Sequence, residues 1–267
     1  MTTPIIRTEI PAADPRQWHV IIDNPQARNG ISHAHAGELA AAVQKGVDDP
    51  DIRCIVLRGA GEHFCAGADL RSIGAVLASG PEGLRRGLSE GYHAALRAVF
   101  ECPKPTLAVI RGAAVGFGFD LALACDLRVA AHESNFGQVF TKIGLVPDGG
   151  SSFTLPRLVG LGKAMELMLL AERFDGHEAL RLGIVNRAVP VDELVALADD
   201  WARRLASGPP VAFRLGKANL RAGAGGGTMA DALHRESEAQ LVCAFTKDAA
   251  LATQAFFLKQ TPKFEGK

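Results

Sequence analysis

Residues 106–126, with the sequence TLAVIRGAAVGFGFDLALACD, constrain the fold more than any other part of the chain. Their first five residues are apolar, rich in β-formers and preceded by a Cys-Pro-Lys-Pro turn, which predicts a buried strand. Gly112, Gly116 and Gly118 follow, and the apolar pattern then continues as in a buried helix. A strand, a glycine turn and a helix start gather free backbone N–H groups at one corner. The stretch therefore predicts a place where a negatively charged oxygen can bind.

Further strands alternate with helices along the chain. Apolar strands are predicted at 17–23, 52–57 and 127–131, and a helix at 34–47. An apolar strand followed by Arg-Gly-Ala occurs at 55–60 and again at 108–113, which suggests a repeated unit. This alternation predicts an α/β class with mainly parallel strands. Residues 73–90 have no settled period, and we expect them to form a mobile flap.

The pattern becomes helical after residue 161. The predicted helices are 163–171, 176–182, 191–206, 211–221 and 228–247, with a glycine-rich linker at 222–227. We therefore expect a core at 1–206 and a helical C-terminal region at 207–267.

The overall charge argues against two classes of partner. Lys and Arg together number 29, as do Asp and Glu, so no global field attracts nucleic acid or an anionic membrane. No apolar run reaches the roughly 18 residues of a membrane span. The five scattered cysteines favour a reducing compartment over a zinc site, and we expect a cytoplasmic protein.

Four blocks in order resemble the crotonase (enoyl-CoA hydratase/isomerase) superfamily. They are FCAGADL at 64–70, the glycine-helix block at 112–126, Phe136-Gly137, and IGLVPDGG at 143–150. The resemblance runs from about Trp18 to the end of the chain. It implies a crotonase-type spiral of ββα units, a C-terminal region that builds a homotrimer or homohexamer, and acyl-CoA thioester substrates. It implies no metal and no cofactor other than the coenzyme A carried by the substrate.

In this family, two backbone N–H groups stabilise the charge that develops on the thioester oxygen. By resemblance, these donors are the amides of Ala66 and Phe117. The family usually has glycine where this chain has Phe117. The benzyl group either narrows the acyl pocket, together with Phe119, or belongs to the core. We expect Phe119 to be core.

The acidic positions distinguish reaction types. Hydratases of the family place two glutamates around the reacting carbons, where this chain has Asp120 and Phe140. A third position, Asp148, is acidic, as in isomerase branches of the family. The resemblance thus implies that Asp148 is the catalytic acid/base and Asp120 its assistant. Each has a structural alternative, since Asp120 complements a helix dipole and Pro-Asp-Gly is ordinary turn chemistry.

Further positions match the family's substrate groove, although solvated or structural roles remain open for each. The implied substrate-binding residues are Ala27, Arg28, His63, Ala68, Asp69, Leu70, Gly116, Phe140 and Lys259. Rossmann and P-loop spacings are absent from the sequence, as is GxSxG, and the histidines lack metal-ligand spacing.

The sequence thus predicts an enzyme that shifts a C=C bond of an enoyl-CoA through a dienolate. A hydratase that uses Asp120 and Asp148 is the main alternative. A CoA-independent β-diketone C–C hydrolase and a non-catalytic acyl-CoA binder also remain open. Cleavage of diketones without CoA binding, or binding without turnover, would distinguish these two.

Overall fold

The computed structural model describes residues 4–267, apart from the side chains at 70, 73 and 75. The strands are β1 (Ile6–Glu9), β2 (Gln17–Ile22), β3 (Cys54–Gly59), β4 (Thr106–Ile110), β5 (Ala113–Val115), β6 (Leu127–Ala131), β7 (Asn135–Gly137) and β8 (Arg187–Val189). The α-helices are α1 (His33–Asp48), α2 (Leu70–Ala78), α3 (Gly80–Gly87), α4 (His93–Phe100), α5 (Phe117–Ala124), α6 (Ser151–Leu170), α7 (Gly176–Arg181), α8 (Leu194–Ala206), α9 (Pro210–Ala224), α10 (Met229–Ala244) and α11 (Lys247–Phe257). A π-helical turn spans Leu88–Tyr92, and 3₁₀ turns span Pro25–Ala27 and Phe140–Ile143.

The main sheet has six strands in the order β1-β2-β3-β4-β6-β8. All its neighbours pair in parallel except β1 and β2. A second, two-stranded parallel sheet pairs β5 with β7. The central strands are almost wholly buried because helices cover the sheet, which explains their continuous apolar runs. The predicted α/β class with mainly parallel strands is confirmed.

Glycines position helix α5 beside the loop that contains Cys65. Gly116 precedes the helix with φ 55° and ψ −123°, a conformation that side-chain-bearing residues rarely adopt. A Cβ atom on Gly118 would overlap the carbonyl of Cys65. Cys65 in turn bridges to Ala114 of β5. These constraints hold residues 65–68 against the N-terminus of α5.

Residues 73–90 are helical apart from a turn at Ser79. The expectation that they form a mobile flap stays a prediction. They lie in α2, α3 and the start of the π-helical turn. The glycines of this region are not uniformly packed: a Cβ on Gly74 or Gly80 would meet nothing within 4 Å, whereas one on Gly87 would lie 3.3 Å from Val76. Just after the region, a Cβ on Gly91 would overlap the main chain of His33 in α1. The sequence did not predict these helices, because glycine has no side chain and adds nothing to the apolar period by which a helix is recognised.

The C-terminal region is helical as predicted, but the helix predicted at 228–247 ends three residues early and a further helix, α11, follows it. Helix α10 ends at Ala244, and Thr246 caps α11 by accepting a hydrogen bond from the N–H of Ala249 at 3.1 Å. Asp126, at the start of β6, links this region to the core through Lys217 (2.5 Å) and Arg221 (2.8 Å) of α9. The division at residue 206 stays a prediction. Among the described residues, no helix is both long and apolar enough to cross a membrane.

Candidate active site

The N–H group of Ala66 is not available to a substrate. It donates a hydrogen bond to the carbonyl oxygen of Arg28 at 3.0 Å, which fixes the loop that contains Arg28. The predicted oxyanion role of Ala66 therefore fails, because a committed donor cannot stabilise a developing charge without breaking this bond.

The backbone N–H of Ala68, two residues further on, donates no hydrogen bond to any residue that the structure describes. Residues 67 and 69 both bond to Ile31: the Ile31 N–H donates to Gly67 O at 3.1 Å, and the Asp69 N–H donates to Ile31 O at 2.8 Å. Alternate N–H groups of an extended chain point to opposite sides, so the Ala68 N–H points away from Ile31. Within the described residues this amide has no hydrogen-bond acceptor.

The Phe117 amide is the second free donor at this corner. Phe117 is the first residue of α5, where backbone N–H groups have no partner within the helix. A Cβ atom on Gly67 would lie 3.8 Å from the Phe117 nitrogen, so the loop and the helix start are in contact. The corner therefore offers the Ala68 and Phe117 amides as a pair.

Asp120 is buried one turn further into α5. Its side chain is 1% exposed, and Oδ1 accepts a hydrogen bond from Gln138 Nε2 at 2.8 Å. The Gln138 amide also contacts Ser151 Oγ. Oδ2 of Asp120 has no hydrogen-bond partner among the described residues. Burial raises the pKa of Asp120 to about 7, which the Gln138 hydrogen bond opposes, so this carboxyl can exchange a proton near neutral pH.

Asp148 lies in a segment without regular secondary structure, between the 3₁₀ turn and α6. Burial raises the pKa of Asp148, and the charge of His93 opposes this rise. The charge of Asp148 in turn raises the pKa of Asp120. Gly149 packs directly on Asp120, where a Cβ atom would overlap the carboxylate. The structure thus brings the two predicted acids together.

Aromatic side chains line the same region. A Cβ on Gly116 would lie 3.9 Å from the Phe140 ring. The buried Phe117 ring packs edge-on against Tyr92, with ring centroids 4.7 Å apart. Phe119 is core, as expected, and packs against Phe136 and Phe174. A largely apolar cavity of about 310 Å³ lies between Pro147 and helix α6, and its lining includes Gln138.

Some of the other predicted substrate-binding residues have structural contacts. His63 Nδ1 accepts a hydrogen bond from the Ala113 N–H at 3.2 Å. Asp69 caps α2 and accepts from the Arg71 N–H at 3.1 Å. Arg28 is in the turn that follows Ala27, and Lys259 is exposed after α11. The side chain of Leu70 lies outside the described residues.

Sequence reasoning missed four residues of this site. Asn29 is fully buried and donates to the carbonyl groups of Ala60 (2.9 Å) and His63 (2.5 Å), which holds the loops beside the amide pair. Its Asn-Gly dipeptide was a turn signal. Gln138 and His93 had no distinguishing local pattern. Tyr92, whose hydroxyl donates to Ile31 O at 3.0 Å, is the single tyrosine of the sequence.

Two free amides beside two carboxyls of raised pKa suit an enzyme that moves protons next to a carbonyl group. The enoyl-CoA hydratase/isomerase family model matches residues 18–267. The chain therefore belongs to this family, within the crotonase superfamily, and both the resemblance and the crotonase fold are confirmed.

Named relatives include both hydratases and isomerases. A "Probable enoyl-CoA hydratase" of Rhodobacter capsulatus is 38% identical over 93% of this chain and 94% of the relative. The 1,2-epoxyphenylacetyl-CoA isomerase of Escherichia coli is 31% identical over 92% of this chain and 94% of the relative. The crystal structure of an enoyl-CoA hydratase from Bacillus anthracis matches with a TM-score of 0.91 and 32% identity, over 98% of this chain and all of that one.

The contact between Gly149 and Asp120 gives a testable prediction. Gly149→Ala places a methyl group on the Asp120 carboxylate, so either this carboxyl or the Asp148 turn must move. Misplacement of catalytic groups by about 1 Å can cost ~100-fold, and we expect kcat/KM for an enoyl-CoA substrate to fall on this order. Gly162→Ala is the matched control, because a Cβ there meets nothing within 4 Å. Equal kcat/KM for the two variants would contradict this packing argument.

Proposed function

We propose that this protein shifts a C=C bond of an enoyl-CoA thioester. Asp148, as the carboxylate, takes a proton from the α-carbon of a 3-enoyl-CoA, and the electron pair moves into a dienolate. The Ala68 and Phe117 N–H groups hold the negative thioester oxygen. The proton then returns at the γ-carbon, which leaves the double bond between the α- and β-carbons. Asp120 assists as a second carboxyl within the same group of side chains.

Phe140 is the observation that supports this reaction over hydration. Hydration needs a water held against the β-carbon and a proton delivered to the α-carbon, and two carboxylates ordinarily share these tasks. The Phe140 ring lies beside Gly116, at the start of α5, and can do neither. Isomerisation needs only proton removal and return, and an aromatic wall favours it by excluding competing water.

Hydration remains the second candidate, for one specific reason. Asp120 and Asp148 are close enough for the charge of one to raise the pKa of the other. Two coupled carboxyls of this kind can divide the work of activating water and donating a proton. The name of the Rhodobacter relative agrees with this candidate.

For coenzyme A itself, we propose a site along the loops that contain Ala27, Arg28, His63 and Ala68. Arg28 and the exposed Lys259 are the proposed phosphate ligands, Lys259 from a neighbouring subunit. We propose no further cofactor and no metal ion. A cytoplasmic location is supported by the five cysteines, which are all free thiols.

The reaction is tested in D₂O with a 3-enoyl-CoA and with crotonyl-CoA. We expect the protein to exchange substrate protons and shift the 3-enoyl double bond faster than it hydrates crotonyl-CoA. Asp148→Asn should lower both exchange and isomerisation by roughly 100-fold or more while leaving CoA binding intact, because only the proton acceptor is lost.

Asp200→Asn is the control for loss of an acid, since Asp200 pairs with Arg203 and Arg204 on the exposed face of α8. Fast hydration of crotonyl-CoA, or unchanged turnover of Asp148→Asn, would contradict the isomerase and restore the hydratase.

We also propose that the protein assembles as a homotrimer or homohexamer, without nucleic acid or membrane partners. Large apolar side chains on the C-terminal helices are exposed in one chain, including Leu220 (78%), Met229 (75%), Phe245 (89%), Phe256 (79%) and Phe257 (78%). A groove of about 780 Å³ between α9 and α10 is lined mostly by small and apolar residues. So much exposed apolar surface is unusual for a monomer, and a second copy of this chain is the proposed occupant.

Light scattering tests the assembly. We expect a mass three or six times that of one chain at micromolar concentration, because association removes this apolar surface from water. Phe245→Asp should lower the mass, whereas Asp200→Asn should not. A monomeric wild-type protein would contradict the assembly and the role of Lys259 across subunits.

A further inference from the structure

His93 contacts the segment that contains Asp148, and the proposed mechanism does not use it. Its Nε2 lies 2.9 Å from the main-chain carbonyl oxygen of Asp148. A carbonyl oxygen only accepts, so the Nε2–H of His93 is the donor and Nε2 carries the proton. Residues 145–148 have no regular secondary structure, so this bond helps to fix a turn that no helix or strand holds.

The chain places His93 by an uncommon backbone device. The π-helical turn Leu88–Tyr92 comes immediately before α4, and the His93 N–H donates to Leu88 O in a bond that spans five residues. Such a turn inserts one residue and so rotates the helix that comes after it, and π-helical turns occur frequently at functional sites. Tyr92 anchors the turn through its bond to Ile31 O and its edge contact with Phe117. Its neighbour His93 is thereby directed at the Asp148 turn.

Charged and titratable groups reach Asp148 from three elements. His93 approaches from α4, Asp120 from α5, and the Tyr92 hydroxyl from the π-helical turn. His93 is the only one of these three that can carry a positive charge.

We infer that His93 is a positioning residue for Asp148: it holds the Asp148 turn by a hydrogen bond, and a positive charge on its ring favours the ionised form of the Asp148 carboxyl. This inference rests on the proposed role of Asp148 as a proton acceptor. A carboxylate must be ionised to take a proton from carbon, and burial alone would raise the pKa of Asp148. Protonated His93 acts in the opposite direction, which extends the active range of the base toward lower pH.

Two substitutions separate the hydrogen bond from the charge. His93→Gln keeps an amide N–H that can reach the Asp148 carbonyl but removes the charge, and His93→Ala removes both. The acidic limb of the pH profile of kcat/KM for isomerisation should move upward by about one pH unit in both variants. At the pH optimum, we expect His93→Gln to keep most of its kcat and His93→Ala to lose roughly 10-fold or more. His177→Gln, an exposed histidine on α7, should leave the profile unchanged.

A second measurement does not depend on the reaction. The carboxyl band that disappears in Asp148→Asn can be followed by infrared difference spectroscopy as the pH is changed. Its midpoint should be higher in His93→Gln than in the wild type. An unchanged midpoint and an unchanged acidic limb in His93→Gln would overturn the inference. A wild-type protein that isomerises nothing, but whose midpoint moves in His93→Gln, would contradict the proposed function and retain the coupling.

Discussion

The close approach of two backbone segments is the constraint on which the rest of the site depends. Residues 65–68 run against the first turn of α5 with no room for a side chain at Gly118. Gly116 supplies the backbone conformation with which the helix begins. Both the Ala68 and Phe117 amides are therefore placed by main-chain packing, and their geometry does not depend on a flexible side chain. Fixed donors of this kind need no reorganisation when charge develops, which is why they lower a barrier.

The same packing buries Asp120 among apolar neighbours. A displacement of its pKa from 3.8 to about 7 corresponds to an energy on the order of 4 kcal/mol against the ionised form. A raised pKa contributes stability that is fully present below about pH 3.8, where Asp120 is protonated in both the folded and unfolded chains, and that is lost progressively as the pH rises through about 7. Above that pH the fold carries the full cost of an ionised, buried Asp120. A carboxyl held in this condition is poorly suited to structure alone and well suited to moving protons.

The elements near α5 were predictable because their sequence patterns are local. Strand β4, the glycine turn and the start of α5 follow from periodicity and glycine spacing, and the four family blocks located both acids. The choice between Ala66 and Ala68 was not predictable in this way. It depends on which amide bonds to Arg28 and which lies opposite Ile31, and these loops meet only in the folded chain.

His93, Gln138 and the helices at 73–90 escaped prediction for related reasons. His93 reaches Asp148 across 55 residues of sequence, and Gln138 reaches Asp120 across 18. Contacts between residues so far apart in the chain produce no short sequence motif. The glycines of 73–90 interrupt the apolar period of its helices, and the next glycine, Gly91, lies against the main chain of His33 in α1. Glycine spacing therefore located the turn before α5 but not the helices at 73–90, because the local sequence does not show which segment a glycine packs against.

A crystal structure with a bound, unreactive acyl-CoA analogue tests the central claim most directly. We predict that the thioester oxygen, or the atom that replaces it, lies about 2.7–3.2 Å from both the Ala68 and Phe117 nitrogens. The Asp148 carboxylate should face the α-carbon, and Ala66 N should still be bonded to Arg28 O. An oxygen bound elsewhere, or an α-carbon that faces away from Asp148, would contradict this assignment of the site.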